Sequence, residues 1–109
     1  MLTHLKSRLD PDRIDPGGTE KRSAELNTCL AIYKELRSQF ADVPIIFSGD
    51  MNGYAGRPQT DPEFLPIYTE TDLQDILEIA NIDIKERSTF YQVRNGGKTD
   101  GKQIDYCFI

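Results

Sequence analysis

The order of apolar and polar positions predicts a chain in which strands and helices alternate. Residues 2–7 alternate in the manner of a strand. From about Thr19 to Phe40 the apolar residues recur every three or four positions, which predicts one amphipathic helix. Residues 43–47 form an unbroken apolar run, which favours a short strand buried on both faces. A helix between two strands predicts a βαβ unit with parallel pairing.

The second half of the chain adds a short helix that begins at Asp61-Pro62 and runs through Tyr68, a further helix and two strands. A capping-box pattern at Thr71 predicts a helix that ends near Asn81. Residues 88–93 and 103–109 have strand patterns, and Asn95–Gly97 predicts a sharp turn between them. The sequence therefore predicts one α/β domain, with a mixed β-sheet that carries its helices on one face.

Two polar side chains follow the central apolar run. Asp50 and Asn52 come directly after Phe47-Ser48-Gly49, so we expect them at the carboxyl edge of the sheet, where open α/β sheets bind ligands. An aspartate and an amide two residues apart could meet one small anion or metal ion there. The alternative is structural, because Asn52-Gly53 is also a typical tight turn.

The last strand contains an acidic residue at an unexpected position. Strand alternation places Asp105 on the same face as Cys107 and Ile109, which is an apolar face. An ionised carboxylate buried there costs several kcal/mol unless a cation, a histidine or strong donors meet it. We therefore expect Asp105 to have a partner.

Two other residues could take part in binding or remain structural. His4 is the only histidine, and it could donate to a phosphate or carry a proton, or simply be a hydrogen-bonded strand residue. Arg57 lies in the loop after Asn52, where side chains often touch substrate, but a solvated arginine is an equal alternative.

Composition limits the classes of partner. Charged residues make up 28% of the 109 residues, and no apolar run is long enough to span a membrane, so we expect a soluble protein. The start of the chain lacks the apolar core of a signal peptide.

Cys29 and Cys107 are expected to be small core residues rather than a disulfide, which leaves the redox compartment undecided. The net charge of −5 disfavours generic nucleic-acid binding, although residues 85–102 hold five basic and two acidic residues.

Four segments together resemble the endonuclease/exonuclease/phosphatase superfamily of metal-dependent phosphoesterases. In chain order they are Thr3–Ser7, Pro44–Asn52, Ser88–Phe90 and Gln103–Tyr106. The resemblance covers nearly the whole chain, and four segments in the family's order are more specific than any one of them. It implies phosphodiester hydrolysis that depends on Mg²⁺ or Mn²⁺, with a nucleic acid as the expected substrate.

The resemblance also implies a role for each matching residue. Asp50 would orient the attacking water and hold a metal ion, and Asn52 would hold that water, the metal or the phosphate. His4 would donate to a phosphate oxygen, and Asp105 would orient a catalytic histidine. Lys6, Ser7 and Arg8 directly follow His4 in sequence, so they could contact phosphates, and Arg57 could bind substrate from its loop.

The chain departs from the family pattern in length and in two site residues. The family fold is a four-layer sandwich of about twice this length, with a metal-binding glutamate in its first half. The family also has a terminal Ser-Asp-His segment, which is missing here. Asp105 therefore has no candidate histidine in this chain. Residues 1–109 are therefore expected to form the second half of such a domain, with little activity alone. The alternative is a catalytically silent module that dimerises, or binds a partner, through the sheet face that the other half would cover.

Overall fold

The computed structural model describes residues 1–109 as five strands, three α-helices and three single-turn 3₁₀ helices. The strands are β1 (Leu2–His4), β2 (Phe47–Asp50), β3 (Phe90–Val93), β4 (Thr99–Lys102) and β5 (Asp105–Phe108). The helices are α1 (Thr19–Gln39), α2 (Leu65–Glu70) and α3 (Ile76–Ile79), with 3₁₀ turns at Pro16–Gly18, Pro62–Phe64 and Ile84–Glu86.

The main sheet has the order β1-β2-β5 and is mixed. Strand β1 pairs with β2 in parallel, as the predicted βαβ unit requires, and β5 pairs with β2 antiparallel. Strands β3 and β4 form a separate hairpin that turns at Gly96 and Gly97, both of which have positive φ. The turn confirms the break predicted at Asn95–Gly97, whereas β4 was not predicted, because its polar sequence has no strand pattern.

The core lies on one face of the main sheet. Helix α1 buries Leu26, Leu30 and Tyr33 in the same cluster as the sheet residues Phe47 and Phe108. The opposite face of the sheet is not covered, and Leu2 in β1 is 89% exposed there. The predicted α/β class, with a mixed sheet and its helices on one face, is confirmed.

The prediction that residues 43–47 are buried on both faces is wrong. Ile45 and Phe47 are buried, but Val43 and Ile46 are about half exposed. The reason is that the helices cover only one face of the sheet, and a strand covered on one face buries only alternate side chains. The strand itself begins only at Phe47.

The predicted helix over residues 71–81 is also largely wrong. Helix α3 covers only Ile76–Ile79, and its cap is Asp75, whose carboxylate accepts the Leu77 amide at 2.9 Å. Gln74 instead exchanges two backbone hydrogen bonds with Ile109, both at 2.9 Å. Pairing with the end of β5 therefore replaces the first turns of the expected helix.

None of the helices combines the length and the apolar character that crossing a bilayer requires.

Candidate active site at the carboxyl edge of the sheet

Three of the predicted site residues lie in one row across the main sheet. In the strand register His4 is opposite Asp50, and Asp50 is opposite Asp105. Side chains directly opposite each other on neighbouring strands share a face of the sheet. The structure therefore brings together one histidine and two carboxylates from three strands that are far apart in sequence.

Asp50 and Asp105 form a close cross-strand pair. The Met51 amide donates to the Ile104 carbonyl at 2.7 Å, whereas the Asp50 carbonyl accepts from Leu5 rather than from Asp105. Asp50 and Asp105 are thus a non-hydrogen-bonded pair, the type in which side chains approach to about 4.5–5.5 Å between Cβ atoms. Two like charges this close disfavour each other, and a cation between them would relieve the repulsion.

The expectation that Asp105 is buried among apolar residues is wrong. Asp105 is exposed, and Cys107 on the same face is only partly buried. The cause is the uncovered outer face of the sheet, where alternation correctly places Asp105. Its carboxylate therefore needs no buried partner to be stable.

One hydrogen bond and one close contact with a histidine meet the Asp50 carboxylate. Its Oδ1 accepts the backbone amide of Asn52 at 2.8 Å, and its Oδ2 lies 3.4 Å from Nε2 of His4. Most of the His4 side chain is exposed, while the Asp50 side chain is partly buried. These contacts fix the orientation of the Asp50 carboxylate and leave the histidine ring accessible to a ligand.

Asn52 holds the turn after β2 against the turn after β1. Its Nδ2 donates to the Leu5 carbonyl at 2.8 Å, and its backbone has a positive φ of 52°, a conformation that asparagine tolerates better than most residues. A structural role in the turn and a role in binding a ligand are therefore compatible for Asn52. With the amide nitrogen used, the side-chain oxygen is the atom that remains for a ligand.

Arg8 links the same two turns. Its Nε donates to the Asn52 carbonyl at 3.1 Å, and its Nη2 pairs with Asp61 at 2.6 Å. The guanidinium also lies 5.8 Å from the centre of the Tyr54 ring. Arg8 is therefore held beside the carboxyl edge, as its predicted role requires, but part of its charge is neutralised by Asp61.

Lys6 is directed into its own loop. Its Nζ donates to the carbonyl and the hydroxyl of Ser7, at 3.1 and 3.3 Å, and to the carbonyl of Leu9. A phosphate contact would require the lysine to exchange these bonds. Ser7, in contrast, lines a cavity next to Asn52.

That cavity has a volume of about 360 Å³, and it joins all four sequence segments of the predicted site. Ser7, Asn52, Phe90 and Ile104 each come from a different segment, and all of them line it. Arg8 and Lys102 supply positive charge to the same walls.

Arg57 lies at a different place. It forms a two-point ion pair with Glu78, at 3.0 and 3.2 Å, and its guanidinium lies 4.8 Å from the centre of the Tyr68 ring. It lines a second cavity, of about 270 Å³, which does not include Asn52. Arg57 is therefore not grouped with His4, Asp50 and Asp105.

Thr89 positions the last strand, a role that the sequence analysis did not assign. Its hydroxyl accepts the backbone amides of Ile104 and Asp105, at 3.1 and 3.2 Å. Thr89 lies within Ser88–Phe90, one of the four segments that resemble the superfamily. That position was the only sequence signal that it could belong to the site. Its hydrogen bonds could not be foreseen, because strand β5 is far away in sequence.

Arg22 is a second residue that was missed. It is buried, pairs with Glu63 at 2.6 Å, and donates to the carbonyls of Lys6 and Gly17, at 3.1 and 2.9 Å. Arg22 thereby fixes the loop that leaves β1. In the sequence it is one of several charged residues in the first turns of α1, with no signal that distinguishes it.

The structure contains no complete metal-binding site. No group of three or more histidine, cysteine, aspartate or glutamate side chains is arranged to hold a metal ion. Mg²⁺ is often bound by only one or two carboxylates, with water and phosphate oxygens completing its shell. The pair of Asp50 and Asp105, with the Asn52 oxygen nearby, fits that partial role and no more.

Comparison with known proteins identifies the fold. No protein-family model matches the chain, and no curated protein matches it. Solved structures do match: TDP2 from Caenorhabditis elegans has a TM-score of 0.65 at 20% identity, over 98% of this chain and 30% of that one. A truncated form of C. elegans TDP2 matches with a TM-score of 0.64, also at 20% identity, over 98% of this chain and 39% of that one.

The chain therefore has the fold seen in part of TDP2 from C. elegans. It spans about a third of the length of the matched structures. Identity of 20% establishes the fold alone, and the activity has to be argued from the site.

Proposed function

We propose that this chain carries part of the active centre of a metal-dependent phosphodiesterase that acts on nucleic acids. The observation that carries the proposal is the row of His4, Asp50 and Asp105 across three strands, beside Asn52. These are the residues that the resemblance assigned to phosphate chemistry. A chance resemblance in sequence would not be expected to collect them at one edge of a sheet.

The residues have distinct tasks in the proposed reaction. Asp50, held by the Asn52 amide, orients a water molecule and accepts its proton as the water attacks phosphorus; the ester P–O bond breaks, and the leaving oxygen takes a proton from solvent. His4 donates to a non-bridging phosphate oxygen as negative charge develops there. Asn52 offers its side-chain oxygen to the water or to a metal ion.

Mg²⁺ or Mn²⁺ is the proposed cofactor, and a bound divalent cation would neutralise charge on the phosphate. Asp50, Asn52 and Asp105 are the residues that would hold it. Because they supply only part of a coordination shell, we expect the isolated chain to bind the metal weakly and to hydrolyse phosphodiesters slowly.

The cavity beside Asn52 supports a nucleic acid rather than a lipid or an inositol phosphate as substrate. Arg8 and Lys102 line it together with the aromatic side chains of Tyr54 and Phe90. Cationic and aromatic groups in one groove are typical of sites that bind single-stranded nucleic acids.

Manganese titration tests the proposed centre without requiring turnover. We expect Mn²⁺ to broaden the NMR signals of His4, Asp50 and Asp105 selectively, because a paramagnetic ion relaxes nearby nuclei. Asp50→Asn should abolish the selective broadening, and Asp42→Asn, an exposed loop change of the same type, should leave it intact. Uniform broadening, or broadening centred elsewhere, would refute the metal site.

Hydrolysis of bis(p-nitrophenyl) phosphate and of a DNA oligonucleotide in Mg²⁺ provides the second readout. We expect slow turnover that falls by about 10²-fold or more in Asp50→Asn, the scale of a lost positioned base. Fast turnover that depends on Asp50 would contradict the expectation of weak activity in the isolated chain. Turnover that does not depend on Asp50 would contradict the proposed mechanism.

A catalytically silent module that associates through its sheet is a second candidate, and one observation favours it. The outer face of the main sheet is polar at the end formed by His4, Asp50 and Asp105, but Leu2 and Ile46 give it exposed apolar surface at the other end. Exposed apolar surface of this kind favours association.

A further inference from the structure

The cavity of about 270 Å³ behind the β3–β4 hairpin is lined by cations and by no acidic residue. Arg57, Arg87 and Lys102 contribute to its walls, with neutral polar side chains such as Gln59 and Gln103 between them. The chain as a whole has a net charge of −5, so a wall of one positive sign is unusual for this protein. Clefts lined by one sign of charge concentrate ligands of the opposite sign.

Arg87 is the most informative residue of the cavity. It is only 9% exposed, and it forms no ion pair within the chain. Its Nε donates to the Ile82 carbonyl at 2.8 Å, which fixes the side chain. A largely buried arginine without an acidic partner is costly unless another anion meets it.

The terminal nitrogens of Arg87 form no hydrogen bond within the chain. The only fully buried side-chain polar atom that lacks a hydrogen bond is Oδ2 of Asp75, so the terminal nitrogens of Arg87 are accessible. Because Arg87 lines the cavity, its fork of donors is available there.

Lys102 is the second unpaired cation. It forms no ion pair, and it lines both this cavity and the one beside Asn52. Arg57 is less available, because Glu78 neutralises it. Asp75 and Asp61 are the other acidic groups close to the cavity residue Tyr106, but neither of them lines the cavity.

Tyr106 adds a neutral polar group to the wall. Burial raises the pKa of its hydroxyl, which donates to the Gln103 carbonyl at 3.2 Å. The phenol therefore brings no negative charge that would oppose an anion.

We propose that Arg87 and Lys102 form a binding site for a phosphate group in this cavity, separate from the row of His4, Asp50 and Asp105. The guanidinium supplies paired donors that suit phosphate oxygens, and the ammonium supplies a second charge. The phosphate belongs either to a nucleic-acid chain that continues from the neighbouring cavity or to a small free anion. The site requires no turnover and so stands independently of the proposed hydrolysis.

Titration with inorganic phosphate and with a short oligothymidylate, followed by NMR, tests the site. We expect a saturable shift of the Arg87 Nε–H signal in at least one titration, at constant ionic strength. Tighter binding of the oligonucleotide would identify a nucleic-acid phosphate, and binding of inorganic phosphate alone would identify a free anion. No saturable shift in either titration would overturn the proposal.

Two lysines of the same hairpin provide matched variants. Lys102→Gln should weaken binding about tenfold, the usual scale for one charged hydrogen bond. Lys98→Gln removes the same charge from an exposed position that does not line the cavity, and it should have little effect. An equal loss in both variants would show that only net charge matters, and it would refute a defined site. Neither lysine is buried, so both variants should fold.

Discussion

Asp15 shows how a residue outside a helix can complete that helix. Thr19 is the first residue of α1, and its hydroxyl donates to the Pro16 carbonyl rather than accepting from the free amides of the first turn. The amides of Glu20 and Lys21 are met by the Asp15 carboxylate instead, at 2.9 and 3.0 Å. The 3₁₀ turn at Pro16–Gly18 brings Asp15 back over the helix start, which spacing along the chain could not reveal.

A pH prediction belongs to Asp15. The amides of Lys21 and Glu20 hold the pKa of its carboxyl below the ordinary value of 3.8. A lowered folded-state pKa means that the stabilisation is present above pH 3.8 and is lost as the pH falls towards the folded-state value. Asp15→Asn should therefore flatten the loss of thermal stability below about pH 4, measured by circular dichroism.

The exposed Asp12 provides the control for this prediction, since Asp12→Asn removes the same charge without touching the helix start. Some acid sensitivity should persist in Asp15→Asn, because the Tyr33 hydroxyl also lowers the pKa of Asp72. If thermal stability falls with pH in the same way in Asp15→Asn and in the parent chain, the capping role would be contradicted.

At the scale of elements, the buried ion pair of Arg22 and Glu63 joins α1 to the 3₁₀ turn at Pro62–Phe64. The two side chains are 1% and 7% exposed. Removing one member leaves a buried charge without its partner, so Glu63→Gln should lower the free energy of unfolding by about 3 kcal/mol. Urea denaturation measures the change.

The pair of Lys34 and Glu70 supplies the matched comparison. It joins α1 to α2 with a similar 2.7 Å contact, but both side chains are about half exposed. Glu70→Gln should therefore cost no more than about 1 kcal/mol. Equal losses in the two variants would mean that burial does not control the strength of these bridges.

The elements also show where sequence patterns succeed. Helix α1 was predicted within one residue of its end, because 21 residues of helix repeat one apolar stripe many times. The segment from Thr71 to Asn81 carries the same type of signal, but the two backbone bonds between Gln74 and Ile109 override it. Short segments follow their tertiary partners, and those partners lie outside any local window.

Some features of the candidate site could also be predicted from sequence, and others could not. The grouping of His4, Asp50 and Asp105 could be predicted, because each occupies a defined place on a strand of a recognisable pattern. The exposure of Asp105 could not, because it depends on whether a second layer covers the sheet. The cavity at Arg87 could not be predicted either, since it needs a hairpin, a loop and a 3₁₀ turn to meet.

For the whole molecule, the uncovered face of the sheet predicts self-association. Leu2 is 89% exposed at the apolar end of that face, on the edge strand β1, whereas Leu9 is 75% exposed on a loop. Sedimentation velocity should show a reversible dimer at high protein concentration, and Leu2→Lys should weaken it more than Leu9→Lys. A chain that stays monomeric throughout the concentration range would contradict association through this face.

The register of β2 has a further consequence. Phe47 and Gly49 face the core side, while Ser48 and Asp50 face outwards, and every second residue of the strand follows the same rule. A slip of one residue against β5 would turn the carboxylate of Asp50 inwards and Phe47 out to water. One register shift would therefore disrupt both the hydrophobic core and the position of the acidic pair. Mutations that preserve the hydrophobic core keep Asp50 and Asp105 in place as well.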